Sequence, residues 1–329
     1  SPKGYSTSAK LLEFIHAELS RAGAPPDLVQ ILPDPVTKEL STELMRQADL
    51  VVITGSQSNV RAGYSSGTPA LGVGAGNVAV IVDTTAECED AARKIMRSKI
   101  FDNATSCSSE NSAIVLDAVY DATIAALVRE GGALVTPGEK ALLEKAMFPG
   151  GKLSPAVTAQ SVAHICALAG LARPELTGAK CLMVEETGTG KDHPFSGEKL
   201  SPVLTMYRAR DFDHAFDLMR GIYDYMGDGH SCGIHTEDAA HVDRLGREMT
   251  VCRVIVNQAH AIANGGSFDN GLPFSLTMGC GTWGGNSFSE NLNYRHFMNV
   301  TRIVRPIPPR EPTLEDVFGE YWAKHKIKS

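Results

Sequence analysis

No uncharged apolar run in this chain approaches the roughly 18 residues that a membrane-crossing helix needs, so no transmembrane anchor is expected. A basic surplus is missing too. The 31 Lys and Arg residues face 38 Asp and Glu, a net charge of −7, and such a chain lacks the positive stripe with which proteins hold nucleic acid. There is no charged-then-apolar leader, which makes the cytoplasm the expected location. The seven cysteines are odd in number and contain no C-x-x-C pair, and a chain of 329 residues builds a core large enough to need no cross-links. Reduced thiols are therefore expected. The ten histidines form no H-E-x-x-H and no cysteine–histidine ladder, so no metal site is expected. An initiating methionine is also absent. The chain opens at Ser1-Pro2-Lys3, and it is expected to be part of a longer protein.

What is present is an alternation of short Val/Ile-rich runs with longer amphipathic stretches. Residues 50–54, 78–82, 112–116, 180–184, 203–207 and 253–256 read as buried strands. Residues 7–22, 85–99, 117–130, 138–148, 158–169, 211–224 and 237–249 carry helical spacing, with Asp211 and Thr236 as caps for the last two. That alternation predicts an α/β architecture with largely parallel sheets. Texture changes near residues 101–109 and after Asn291 suggest boundaries. The run 296–306 alternates like a strand without a neighbour in sequence to pair with, so a homo-oligomer, dimer or tetramer, is expected to form through it.

Three glycine motifs invite a nucleotide reading. Gly74-Ala75-Gly76-Asn77-Val78-Ala79 spells G-x-G-x-x-A, but a dinucleotide fingerprint needs a helix after the glycines and here a strand follows. A tight backbone passage is the better reading. Gly188-Thr189-Gly190-Lys191-Asp192 misplaces a Walker A glycine and ends in Asp, so no triphosphate site is expected. Thr54-Gly55-Ser56 follows a buried strand and precedes a possible helix, the place where α/β sheets bind ligands, although an ordinary turn accounts for it equally well. Among the thiols, Cys107 lies in a polar loop, Phe101-Asp102-Asn103-Ala104-Thr105-Ser106-Cys107-Ser108-Ser109, where a thiolate nucleophile is accessible. The alternative is a buried small hydrophobe, as Cys166, Cys181 and Cys252 look to be.

Read in order, these segments resemble the CoA-acylating branch of the aldehyde dehydrogenase superfamily. The resemblance is carried by Ile53-Thr54-Gly55, Tyr64-Ser65-Ser66-Gly67, Gly72-Val73-Gly74-Ala75-Gly76-Asn77, Phe101-Asp102-Asn103 leading to Cys107, and Ser109-Glu110-Asn111-Ser112. It continues through Glu198-Lys199-Leu200-Ser201-Pro202, Gly229-His230-Ser231-Cys232 and Gly279-Cys280-Gly281-Thr282-Trp283-Gly284-Gly285-Asn286-Ser287. It implies Cys107 as the nucleophile that carries an acyl thioester, His230 as proton acceptor, and Glu198 as the nicotinamide-ribose contact. NAD or NADP is the implied cofactor and coenzyme A the co-substrate. Ser1, Lys3, Gly55, Ser56, Gly74, Gly76 and Glu198 are the residues implied to line the cofactor. Hydrolytic members of the superfamily keep a glutamate base in a segment like 73–77. Its absence here points to release by a thiol, which needs less help than water.

The fold implied is aldehyde dehydrogenase-like, α/β with two doubly wound domains and the cofactor domain incomplete at its N-terminal side. Residues 1–103 would supply part of the NAD(P)-binding domain, 104–291 the cysteine domain, and 292–329 an oligomerisation strand and tail. The small hydroxyl residues before Cys107 suit a polar aldehyde such as sulfoacetaldehyde, with acetaldehyde the other candidate. A hydrolytic dehydrogenase and a non-catalytic assembly subunit are the rival readings.

Overall fold

A computed structural model describes residues 4–327. The chain divides into two compact units, Ser1–Asn293 and Tyr294–Ser329.

The first unit holds two parallel sheets. Strands β1 (Val51–Thr54) and β2 (Ala70–Val73) form a two-stranded sheet, joined by the helix Gln57–Tyr64. The larger sheet has seven strands: β3 (Val78–Val82), β4 (Glu110–Leu116), β5 (Gly132–Leu134), β6 (Cys181–Glu185), β7 (Val203–Ala209), β8 (Cys232–His235) and β9 (Val254–Val256). Their spatial order is β5-β6-β7-β4-β3-β8-β9, and every pairing is parallel.

The central strands are apolar on both faces because helices cover both. Ala79, Ile81, Ile114 and Ile234 pack on one side against Phe216, Met219 and Ile222 of the helix Phe212–Tyr225. Val80, Val82, Ala113 and Val115 face the other way, onto Ala91, Ala92, Ile95 and Met96 of the helix Cys88–Lys99 and Leu127 of the helix Asp117–Arg129. Alternate residues of one strand thus serve two different cores, as the period of two requires.

Three expectations need correction. The boundary near residue 103 falls within the larger sheet, since β3 pairs with both β4 and β8; the chain changes sheets earlier, across Gly74–Asn77 between β2 and β3. Asp211 caps its helix, its side chain accepting from the His214 N–H, but the following helix is capped by Asp238. Thr236 instead donates its hydroxyl to buried Asp83 at 2.6 Å and accepts from the Asp238 N–H at 2.9 Å. Finally, the run 296–306 forms no strand. In the second unit a short turn spans Tyr294–Phe297 and a helix spans Leu314–His325, with residues 298–313 irregular between them. Alternation marks a face but does not supply a ladder, and no described segment of this chain pairs there.

The helices Tyr5–Arg21 and Lys38–Gln47 bury no residue, so their apolar spacing serves no core within the described chain. No described helix is long and apolar enough to cross a membrane.

Candidate active site

In parallel sheets ligands usually gather at the carboxyl ends of strands. Here the residues singled out from sequence gather at the amino ends of the larger sheet. Gly76 precedes β3, Cys107 precedes β4, Glu198 precedes β7 and His230 precedes β8. The loop before β3 leaves the carboxyl end of β2, so this edge also receives the end of the smaller sheet.

Cys107 is delivered by an arch with a left-handed backbone. Asp102, Asn103 and Ala104 have φ of 49°, 49° and 57°. The first two tolerate that region; Ala104 occupies it at a cost of about 1–2 kcal/mol, and it is buried, so packing holds it there. Asn103 ties the arch down by donating to the Ala159 carbonyl at 3.2 Å. The following turn is closed by the Ser109 N–H on Ser106 O at 3.0 Å, which leaves Cys107 half-buried at its apex.

The sulfur of Cys107 lies 3.1 Å from Nε2 of His230. Burial, with the nearby Glu198 charge second, pushes the thiol up to about 11; the Ser108 hydroxyl and the residue's own backbone N–H act in the opposite direction. At neutral pH the cysteine therefore rests as a thiol. His230 is fully buried, and burial together with the Arg253 charge pushes its imidazole down to about 3. The resting pair is neutral, and the thiol proton is shared with a ring that has no tendency to keep it.

Glu198 is half-buried, and its carboxylate accepts from the Gly76 N–H and feels the charges of Lys99 and Lys199. Burial still dominates and pushes it up to about 7. Gly76 has a steric reason to be glycine. A Cβ added there would overlap the Cys107 carbonyl oxygen and sit 3.2 Å from Cys107 Cβ. The backbone passage read from sequence is thus a passage beside the cysteine itself. Gly76→Ala is expected to displace the cysteine turn, costing about 1–3 kcal/mol of stability and at least about tenfold in activity. Urea unfolding and initial rates measure both, and a variant matching the parent would show that the turn accommodates the methyl.

Gly74 is confined differently, by the Gln57 side chain. Gly55, at φ 131°, and Ser56 follow the carboxyl end of β1, and the Ser56 hydroxyl accepts from the Asn59 N–H at 3.3 Å, capping the helix Gln57–Tyr64. Ser1 and Lys3 lie outside the described residues. The residues present suit a nicotinamide cofactor. A carboxylate with both charge and hydrogen-bonding capacity stands beside the cysteine, and a capped helix N-terminus opens at the end of β1. Among the described residues no group of three or more His, Cys, Asp or Glu side chains could hold a metal ion.

Sequence reasoning missed the residues that hold this arrangement. Asn111 accepts the Lys199 N–H at 3.0 Å and so fixes the Glu198 segment to the start of β4. Arg253, buried before β9, donates to His230 O at 3.2 Å, Gly279 O at 3.0 Å, Ser289 O at 3.1 Å and Asn291 Oδ1 at 2.8 Å. One charged side chain thereby joins the histidine loop to the glycine-rich segment 279–291. Nothing in the local sequence distinguishes it from an ordinary strand-flanking arginine.

The buried titratable groups also set the acid response. His230, His235 and His260 are all pushed down by burial, to about 3 for His230 and about 4 for His235. As the pH falls from 6.5 to 4.5 the unfolded chain takes up protons at these three positions that the folded chain refuses. Glu110 and Glu198, both pushed up to about 7, have the reverse sign: the folded chain binds two protons there that the unfolded chain does not. The three histidines outweigh the two carboxyls, so stability is expected to fall on acidification through this window. Urea midpoints measured across it would test this, and a flat or rising profile would contradict the sign.

The aldehyde dehydrogenase family model matches residues 3–271. The chain belongs to the aldehyde dehydrogenase family. It is 58% identical over 98% of its length to the acylating sulfoacetaldehyde dehydrogenase of Cupriavidus necator, and spans 66% of that relative. An acetylating aldehyde dehydrogenase from Geobacillus thermoglucosidasius superposes with a TM-score of 0.88 at 32% identity, over 94% of this chain and 69% of that one. A Rhodopseudomonas palustris propionaldehyde dehydrogenase with bound propionyl-CoA superposes with a TM-score of 0.78 at 25% identity, over 88% and 63%.

Proposed function

We propose that this chain carries the thiol centre of a CoA-acylating aldehyde dehydrogenase, which converts an aldehyde, CoA and NAD(P)+ to acyl-CoA and NAD(P)H. The observation that carries the reading is the neutral Cys107–His230 pair, 3.1 Å apart, against a backbone strip, Val73–Asn77, that holds no carboxylate.

In this reading the sulfur of Cys107 attacks the aldehyde carbon while Nε2 of His230 takes the thiol proton and returns it to the carbonyl oxygen, closing a thiohemiacetal. NAD(P)+, when bound, would accept the hydride that leaves the adduct carbon, while the adduct's hydroxyl proton is lost to water and the carbonyl re-forms as the thioester. Glu198 would hold the cofactor's ribose hydroxyls, and Ser56 with its helix N-terminus would face the phosphates. The CoA thiol then gives its proton to His230 and displaces Cys107, which leaves as the thiolate and recovers the proton. A weakly basic imidazole suits this cycle because it holds the proton only in passing.

Sulfoacetaldehyde is the proposed substrate, on the strength of the 58% identical relative. The hydroxyls before the cysteine give less support than their polarity suggested. Thr105 donates to Asp102 O and Ser106 accepts from the Ser108 N–H, so both are engaged within the turn. We further propose a cytoplasmic enzyme whose copies associate through the exposed apolar side chains of the second unit, Ile303, Val304 and Ile307 among them.

The decisive experiment is product analysis with sulfoacetaldehyde and acetaldehyde, with and without CoA, in the full-length protein. Acyl-CoA formed in step with NAD(P)H supports the reading. Free acid at full rate without CoA overturns it in favour of hydrolysis.

A further inference from the structure

The hydrogen bond from His230 to the cysteine continues inward. Nδ1 of His230 lies 2.8 Å from the Ser231 hydroxyl, and the same hydroxyl lies 2.8 Å from Nε2 of His260. All three side chains are buried. His260 is itself anchored from two other elements. Its backbone N–H donates to Glu110 of β4 at 3.3 Å, and the next N–H, of Ala261, donates to Ser98 Oγ at 2.7 Å while Ser98 in turn bonds Glu110. The remaining ring atom, Nδ1 of His260, is buried without a partner and lies against Gly233.

The Ser231 hydroxyl has one hydrogen and two lone pairs; an arrangement in which it accepts from both rings would leave its own buried hydrogen without one of these acceptors, so two polarities satisfy both bonds and the hydroxyl hydrogen. The sulfur end chooses between them. A resting thiol offers its hydrogen to Nε2 of His230, which must then be bare, so Nδ1 carries the ring proton and donates to Ser231. Ser231 consequently donates to Nε2 of His260, and the proton of His260 is confined to Nδ1. The buried, unpartnered N–H at that atom is the cost of this polarity. A buried polar orphan in a well-packed fold calls for such a reason. In the opposite polarity His230 would present an N–H to the sulfur and could not receive a thiol proton.

From this geometry we infer that Ser231 and His260 are positioning residues that fix the tautomer of His230, keeping its Nε2 lone pair aimed at the thiol. The inference rests on the reading of His230 as the proton acceptor, but its primary test does not. NMR of the full chain labelled with 15N-histidine, with His230 assigned by the signal lost in His230→Gln, reports the tautomer directly without substrate. The expected spectrum shows His230 protonated at Nδ1 at neutral pH. In Ser231→Ala a large share of the ring shifts to the Nε2–H form. With CoA and aldehyde present, kcat of that variant falls by at least about tenfold while the KM for CoA stays within about twofold. Ser231→Thr, which keeps the hydroxyl, is expected to restore the tautomer and most of the rate. A native His230 found as the Nε2–H form, or a tautomer unchanged in Ser231→Ala, overturns the inference, and the native spectrum decides even where a variant fails to fold. The expected tautomer in a protein that makes free acid without CoA would support the positioning role while refuting the acylating reading.

Discussion

Cys107→Ser is expected to abolish aldehyde-dependent NAD(P)H formation, by a factor on the order of 10³ or more. The reason lies in the base as much as in the nucleophile. His230, pushed down to about 3, removes a proton only as the new bond forms. A hydroxyl is a far weaker acid than even this raised thiol, so the same imidazole cannot activate it. Serine is close to cysteine in size, and position 107 is half-buried at a turn, so the fold is expected to survive. Thermal unfolding of the variant should match the parent while the NAD(P)H signal disappears. Retention of more than about a tenth of the rate would remove Cys107 from the chemistry.

The second large effect is structural. Arg253→Met keeps the aliphatic stem of the side chain but withdraws a guanidinium from three buried acceptors, the carbonyls of His230 and Gly279 and the Asn291 amide oxygen, and from the part-buried Ser289 carbonyl. Burial already lowers the affinity of this arginine for its proton, so the charge is retained against a desolvation cost that those four oxygens offset. Each bond to a charged donor contributes more than a neutral one, and each orphaned acceptor carries its own penalty. The expected loss is about 3–5 kcal/mol by urea unfolding. Activity should fall as well, because the His230 loop loses its tie to segment 279–291. A loss below about 1 kcal/mol would mean that water reaches the vacated acceptors.

The fold was largely legible in the sequence because both faces of the central strands are buried. Val78–Val82 and Ile114–Leu116 are apolar throughout, and helical spacing between them is long enough to identify. Edge elements were less visible. Gly132–Leu134 and Ala70–Val73 are short and contain glycine, and their pairing depends on neighbours distant in sequence. The run 296–306 alternates as well, but among the described residues it has no strand to pair with.

Within the candidate site, the local sequence offered Cys107 as a thiol in a polar loop, whereas His230 and Glu198 were named only through the resemblance to the family, since each reads locally as an ordinary polar residue ahead of a strand. Sequence alone determined the parallel α/β class, the candidate thiol and the missing carboxylate near Gly74–Gly76. Only the tertiary structure decided that the amino ends of four strands meet, that Gly76 is small to make room for the cysteine backbone, and that Arg253, Ser231 and His260 hold the histidine. Those facts depend on which strands lie side by side. Strand order is set by burial summed over the whole sheet, and no local pattern encodes it.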